Sequence, residues 1–185
     1  MRRLVSLLVL ALVLAGAAVA APSGLPGSRA AWRAFLHWPN ACEEAWRTGS
    51  HGEGVFLSKT ATPARLVEVT CFQGPYQYST MLYLLGSDRH VTGPLPLATY
   101  IDPGTGKAKA VRETIMLGVL NFHPSTGRLE LLDLGRGVGD CGIYTVATLR
   151  GARLVTSEVR AKLACDGKPP YDGARWPKLP LPRAG

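Results

Sequence analysis

The residues best suited to chemistry are four cysteines, Cys42, Cys71, Cys141 and Cys165, and the stretch Gly135-Arg-Gly-Val-Gly-Asp-Cys-Gly that contains the third. A cysteine can serve as a nucleophile, a metal ligand or half of a disulfide, and spacing separates these uses. Zinc sites draw on close pairs such as C-x-x-C, and the chain has none. An even number of widely spaced cysteines behind an export signal reads as two disulfides, with three connectivities open. Cysteines so oxidised are not nucleophiles. The four histidines, His37, His51, His90 and His123, form no H-x-H or H-E-x-x-H pair, which points to structural or solvent-facing roles. No G-x-S-x-G elbow occurs, and Ser50-His51 sits in a glycine-flanked breaker loop. Carboxylate chemistry stays open, because Glu43, Glu44, Glu113 and Asp140 could meet in space as an acid–base pair. No metal or cofactor is expected.

The glycine stretch admits several readings. As a nucleotide fingerprint its glycine spacing is wrong, and a strand-like pattern follows it where a phosphate would need a helix N-terminus. A calcium turn of the nonapeptide kind needs stacked copies, and one is present. The structural reading is stronger. Gly135, Gly137 and Gly139 permit a bulge or close backbone approach, while Asp140 can cap the turn and pair with Arg136. A second glycine-rich stretch, Asp102-Pro-Gly-Thr-Gly, lacks the first glycine and the hydroxyl residue of a phosphate loop and reads as a turn.

The elements that must position these residues follow from periodicity. Met1-Arg-Arg, an apolar run from Leu4 to Leu14 and Ala18-Val19-Ala20 form a secretory signal peptide, residues 1–20, cut before Ala21. The apolar run is shorter than the ~20 residues of a spanning helix, so no transmembrane segment is expected after cleavage. A flexible leader, 21–27, precedes Ser28, which can cap a short helix carrying Trp32, Phe35 and Leu36 on one face. Pro39 restarts a helix bearing Cys42, Ala45 and Trp46. From Arg65 the period changes to two. Strands are expected at 65–72, 78–85, 97–101, 115–122, 128–134, 142–149 and 152–163, with hairpin turns at His123–Gly127 and Arg150-Gly151. In the last strand Val155, Ser157, Val159, Ala161, Leu163 and Cys165 should face one way, and Thr156, Glu158, Arg160 and Lys162 the other. The fold class is mainly β: one antiparallel sandwich or barrel-like domain, residues 28–165, with a short helical element and two disulfides. A Pro-rich basic tail, 166–185, completes it.

These elements suggest a pairing. Cys141 is in phase with Ile143, and Cys165 with Val159 and Ala161, so both can enter one core. A flat hairpin about Arg150-Gly151 would set residue 141 opposite about residue 160, leaving Cys165 out of reach. A kink at the three glycines would close the gap. Cys141–Cys165 and Cys42–Cys71 are the expected bridges.

Charge adds a further constraint. The chain has 21 Lys and Arg against 13 Asp and Glu, net +8, and 8 of the basic residues fall between Arg150 and Gly185. For an exported chain, nucleic acid is the least accessible partner of such a tail. An acidic protein or envelope polymer, met through Arg160, Lys162, Lys168 and Arg175, is the expectation. Oligomeric state leaves no trace in the sequence.

Gly135-Arg-Gly-Val-Gly-Asp-Cys-Gly, Cys165-Asp-Gly and Trp176-Pro177, with Cys71-Phe-Gln-Gly-Pro-Tyr and Asn121-Phe122 upstream, resemble the bacterial family catalogued as domain of unknown function 1176. The likeness runs from about Cys42 to Trp176 and is closest to that family's C-terminal half. The chain departs from the family in its shorter length, its four cysteines and Leu134 where a lysine is usual. The resemblance implies export to the periplasm or envelope and brings no activity with it. Two expectations follow. The chain is a non-catalytic binding module, by analogy an inhibitor-like one; the alternative is a hydrolase whose site lies near Arg136 and Asp140.

Overall fold

The computed structural model describes residues 24–182, so the signal-peptide expectation and most of the leader lie outside the described residues. Ser28 caps α1, Arg29–Leu36, its hydroxyl accepting from the Ala31 N–H at 3.3 Å. The expected face of Trp32 and Leu36 is buried, with Phe35 packed beside it. His37, in the left-handed region at φ 57°, ends the helix, and Pro39 opens α2, Asn40–Gly49, which buries Cys42 and Trp46.

Among the described residues ten antiparallel strands follow: β1 Val55–Lys59, β2 Arg65–Gln73, β3 Tyr78–Leu85, β4 Val91–Thr92, β5 Leu97–Ile101, β6 Lys109–Glu113, β7 Met116–His123, β8 Arg128–Leu134, β9 Gly142–Arg150 and β10 Arg153–Lys162. The large sheet runs β1-β2-β3-β7-β8-β9-β10, with β4 against β3, while β5 and β6 pair separately. Strand alternation decides what each face does. Val67, Val69, Cys71, Met81 and Tyr83 face α1 and α2 and form one core with Trp32, Leu36 and Trp38. The Cys42–Cys71 bridge, Cα–Cα 4.5 Å, ties α2 to that face.

Leu66 and Leu82 point the other way and share a second core with Leu129, Leu131, Ala147 and Leu154. Residues of β2 and β3 can meet residues of β8, β9 and β10 only if the sheet curls toward itself. The β5–β6 hairpin packs against the resulting concave face. Thr99 and Thr145 hydroxyls bond at 2.5 Å, and the Thr156 hydroxyl donates to the Ala98 carbonyl at 2.6 Å. The expected mainly β class, with antiparallel sheets, a short helical element and two disulfides, is observed.

Three local features differ from expectation. β1, β4 and β6 are not among the expected strands: all three are short, and β6 exposes much of a charged sequence, so none shows a clean period. β10 does not alternate throughout. A bulge between Thr156 and Glu158 inserts Ser157, so Leu154 is buried before it and Val159 and Ala161 after it. Val155, expected inside, is exposed in consequence. The segment after Asp166 is irregular, as its prolines require, yet it packs. The Leu179 N–H donates to the Val159 carbonyl at 2.9 Å, and the Ala161 N–H to the Pro177 carbonyl at 3.0 Å. Trp176 is fully buried, its indole N–H donating to Pro170 at 2.9 Å.

Candidate functional site

The glycine loop joins β8 to β9 and builds one end of the concave face. The Gly135 N–H donates to the Cys141 carbonyl at 3.0 Å, and Gly139, at φ +72°, closes a turn onto the Arg136 carbonyl. Cys141 and Cys165 are bonded, Cα–Cα 4.9 Å, as expected. The route differs from the expected one. Because of the β10 bulge, Gly142 pairs with Lys162, so Cys165 lies just past the end of the ladder. Gly135 is where the bridge needs a glycine: a Cβ there would lie 2.9 Å from the Cys141 sulfur and 3.3 Å from that of Cys165.

Asp140 is fully buried and its carboxylate is occupied. Arg136 Nε donates to Oδ1 at 2.7 Å, and Arg136 Nη2 and the Gly167 N–H to Oδ2 at 2.6 and 2.7 Å. The guanidinium, seconded by the Gly167 N–H, holds this carboxyl far below the usual carboxylate range. An ionised carboxylate with these donors is neither a proton donor nor open to substrate. The pair ties the loop to the turn after Cys165, doing noncovalently what the disulfide does covalently.

Beside the loop lies a cleft of about 470 Å³ between the β5–β6 hairpin and the inner face of β7, β8 and β9. Its position is a consequence of alternation on β8. Leu129 and Leu131 point into the core, and the next residue of that row is Asp133, opposite Ile143 on β9. Both Asp133 and Ile143 line the cleft. Burial pushes the Asp133 carboxyl up to about 6; a hydrogen bond from Gln77 opposes that shift and the negative charge of Asp102 adds to it. Gln77 is itself fixed, its Oε1 accepting from the Leu134 N–H at 2.8 Å. The walls continue with Tyr76, Tyr100, Ile115, Met116, Leu117 and Leu163, and the disulfide sulfurs' residues form part of the end wall. Asp102 follows β5 and Glu113 ends β6, so antiparallel pairing sets these two carboxylates toward opposite ends of the hairpin. Gly137 lets the Tyr76 ring lie close to the loop; a Cβ there would stand 3.2 Å from the ring.

The other expected site residues scatter. Glu43 bonds Arg29 at 3.1 Å and the Trp38 indole at 3.2 Å, within a cluster where Arg29 also lies 4.1 Å from the Trp46 ring. Glu43 thus serves helix packing, Glu44 is exposed, and only Glu113 of the carboxylates considered for catalysis reaches the cleft. His37, His51 and His90 are exposed. Among the described residues no three His, Cys, Asp or Glu groups come together as a metal site would require.

The four cations expected to form a binding surface separate into two pairs. Arg160 bonds Glu158 and donates to the Trp176 carbonyl at 2.8 Å, and Lys162 bonds Asp166 at 2.9 Å and the Lys168 carbonyl. These two are held at the sheet surface by the segment that crosses it. Lys168 and Arg175 are exposed, Arg175 beside Asp172 at 3.6 Å. Lys178, which the sequence reading did not include, is also exposed and lies 3.9 Å from Glu158.

Asp133 is the principal residue that sequence reasoning missed. A signal was present: in Leu129-Glu-Leu-Leu-Asp, the row of Leu129 and Leu131 runs into an aspartate. Gln77, Tyr76 and Tyr100 gave none, since only the curl of the sheet brings them to Asp133.

A protein-family model described as "Protein of unknown function (DUF1176)" matches residues 16–181. The match extends beyond the Cys42–Trp176 span of the motif resemblance at both ends. No curated protein and no solved structure matches the chain.

Proposed function

The chain belongs to the family of unknown function DUF1176, and on that premise we propose that it is an exported, non-catalytic binding module whose ligand seats in the cleft beside β8. The observation that carries this reading is the cleft itself. At about 470 Å³, with an apolar wall, two tyrosines and a few polar groups, it has the size and make-up of a small-ligand site. The export half of the proposal draws on the signal-peptide pattern and the two disulfides, which belong to an oxidising compartment. No helix of the described residues is long and apolar enough to cross a membrane. The hydrolase alternative loses its candidate at Arg136 and Asp140, where both carboxylate oxygens are engaged.

A second reading is docking on an acidic protein or envelope polymer, and the exposure of Lys168, Arg175 and Lys178 favours it. One experiment separates the two. Fractionated envelope extract is screened for thermal stabilisation of mature protein, of Leu117→Arg, and of Lys168→Glu with Arg175→Glu. Leu117 lines the cleft and is 46% exposed, so the arginine blocks the cleft without entering the core. Stabilisation lost in Leu117→Arg supports the cleft. Stabilisation that survives there and vanishes on charge reversal moves the ligand to the basic segment.

A further inference from the structure

In a chain with 21 Lys and Arg residues, none of the described residues that line the cleft is Lys, Arg or His. Its charged groups are the carboxylates of Asp102, Glu113 and Asp133, on three different elements. We propose that the cleft binds an organic cation, a primary ammonium or guanidinium group carried on a flat or apolar body. The proposal rests on the reading of the cleft as the ligand site and adds the ligand's charge and shape.

The argument starts at Asp133. An aspartate in the inward row of Leu129 and Leu131 has given up much of its water, and the neutral Gln77 amide supplies the hydrogen bond described. A partly desolvated carboxylate is stabilised most by a counter-charge brought to it. The Arg136 guanidinium does not serve, being committed to Asp140 on the other side of the loop. Asp102 and Glu113 extend the negative potential toward the two ends of the hairpin, and low-dielectric walls concentrate such a field within a cleft. The same field excludes carboxylate or phosphate ligands. The tyrosines supply the second part of the chemistry. Tyr76, 42% exposed, and Tyr100 bring aromatic rings to the lining, and such rings attract cations and stack on flat bodies. Ile115 and Leu117, both partly exposed, accept an apolar portion. The carboxylates are spread along the cleft, and the described residues hold no group of three metal-ligating side chains, so the geometry fits an extended organic cation rather than a coordinated metal ion.

The test uses three matched probes on the mature protein: benzylammonium, benzyl alcohol and phenylacetate. Backbone amide NMR shifts are followed through a titration with each. Benzylammonium should shift the amides of Gly135, Gly142 and Tyr76, with benzyl alcohol about tenfold weaker or more and phenylacetate without effect at those positions. Asp133→Asn should weaken benzylammonium binding about tenfold or more, with the near-ultraviolet circular dichroism retained. Glu113→Gln, at the end of β6 and away from the strand core, is the second variant should the first not fold, and it should weaken binding in the same direction. Benzyl alcohol binding as tightly as benzylammonium, or an unchanged affinity in the folded variants, overturns the cation inference and leaves the cleft as the ligand site. No shift of the cleft amides with any probe overturns both.

Discussion

Asp133, opposite Ile143 on the β8–β9 ladder, and its diagonal neighbour Gly142, opposite Leu134, carry the two residue-scale predictions. The Asp133 carboxyl, raised by burial to about 6, binds its proton more tightly in the folded chain than in the unfolded one. Its contribution to stability is therefore fully present below the ordinary carboxylate value near 4 and is lost as pH rises through about 6. Asp102, Glu113, Tyr76 and Tyr100 line the same cleft, and the negative charge of Asp102 acts on Asp133 in the same direction as burial. Asp133→Asn should be more stable than the natural protein at pH 7.5 by roughly 1–3 kcal/mol and no more stable at pH 4, as read by urea denaturation at both values. If the difference does not change with pH, Asp133 is not the buried acid described. Gly142 is at φ +146°, where a Cβ would stand 2.1 Å from the Asp133 carbonyl oxygen. Gly142→Ala should cost about 3 kcal/mol or more, combining backbone strain with a clash against main chain that cannot swing aside. Gly151, in the β9–β10 turn at φ +58° with nothing near its missing Cβ, is the control, and Gly151→Ala should cost about 1 kcal/mol.

At the scale of elements, the β8–β9 loop is secured twice to the chain beyond β10, once by Cys141–Cys165 and once by Asp140 to Gly167. The bridge closes a loop of sequence separation 24, and its removal by the paired substitutions Cys141→Ser and Cys165→Ser should cost ~2–4 kcal/mol, mainly through a freer unfolded chain. With Asp140 intact, the Gly167 amide in that double variant should remain slow in hydrogen exchange; a Gly167 amide as fast as an open loop would mean that the aspartate does not hold the turn alone. The crossing segment behaves as part of the sheet. Trp176 is fully buried and its carbonyl accepts from Arg160, so Trp176→Ala should cost roughly 3–5 kcal/mol in denaturant unfolding, as a core tryptophan does. A loss below about 1 kcal/mol would mean that the segment is a loose arm.

For the molecule as a whole, charge is separated by region. Most cations are exposed at the surface, and the cleft is lined by carboxylates. Ligands of opposite charge would therefore choose different faces, and affinity for an acidic polymer at Lys168, Arg175 and Lys178 should fall with added salt more steeply than affinity for a small cation held in the cleft. Export has its own test. N-terminal sequencing of the native protein should begin at Ala21, and non-reducing peptide mapping should recover Cys42–Cys71 and Cys141–Cys165. Material beginning at Met1 with free thiols would contradict export to an oxidising compartment.

The sequence by itself determined what short-range periodicity and covalent chemistry can specify. Ser28 before a face of Trp32 and Leu36 is enough for a capped helix, and alternation with Gly-rich turns is enough for most of the strands. Phase pointed to the Cys141–Cys165 bond, which is present, although only Cys141 is buried and Cys165, expected in the same core, is exposed past the end of the ladder. The tertiary structure decided what depends on distant parts of the chain. The extra residue Ser157 changes which side of β10 faces inward, and it left no mark in the pattern because Val155 and Leu154 are equally apolar. Arg160 and Lys162 read as a solvated stripe until the segment ending beyond Trp176 is laid across them. The cleft exists because a curled sheet brings β8 opposite the β5–β6 hairpin, so that Asp133, Gln77 and Tyr100 line one space. Local pattern records which way a residue points; which residues it then meets is fixed only when the sheet curls.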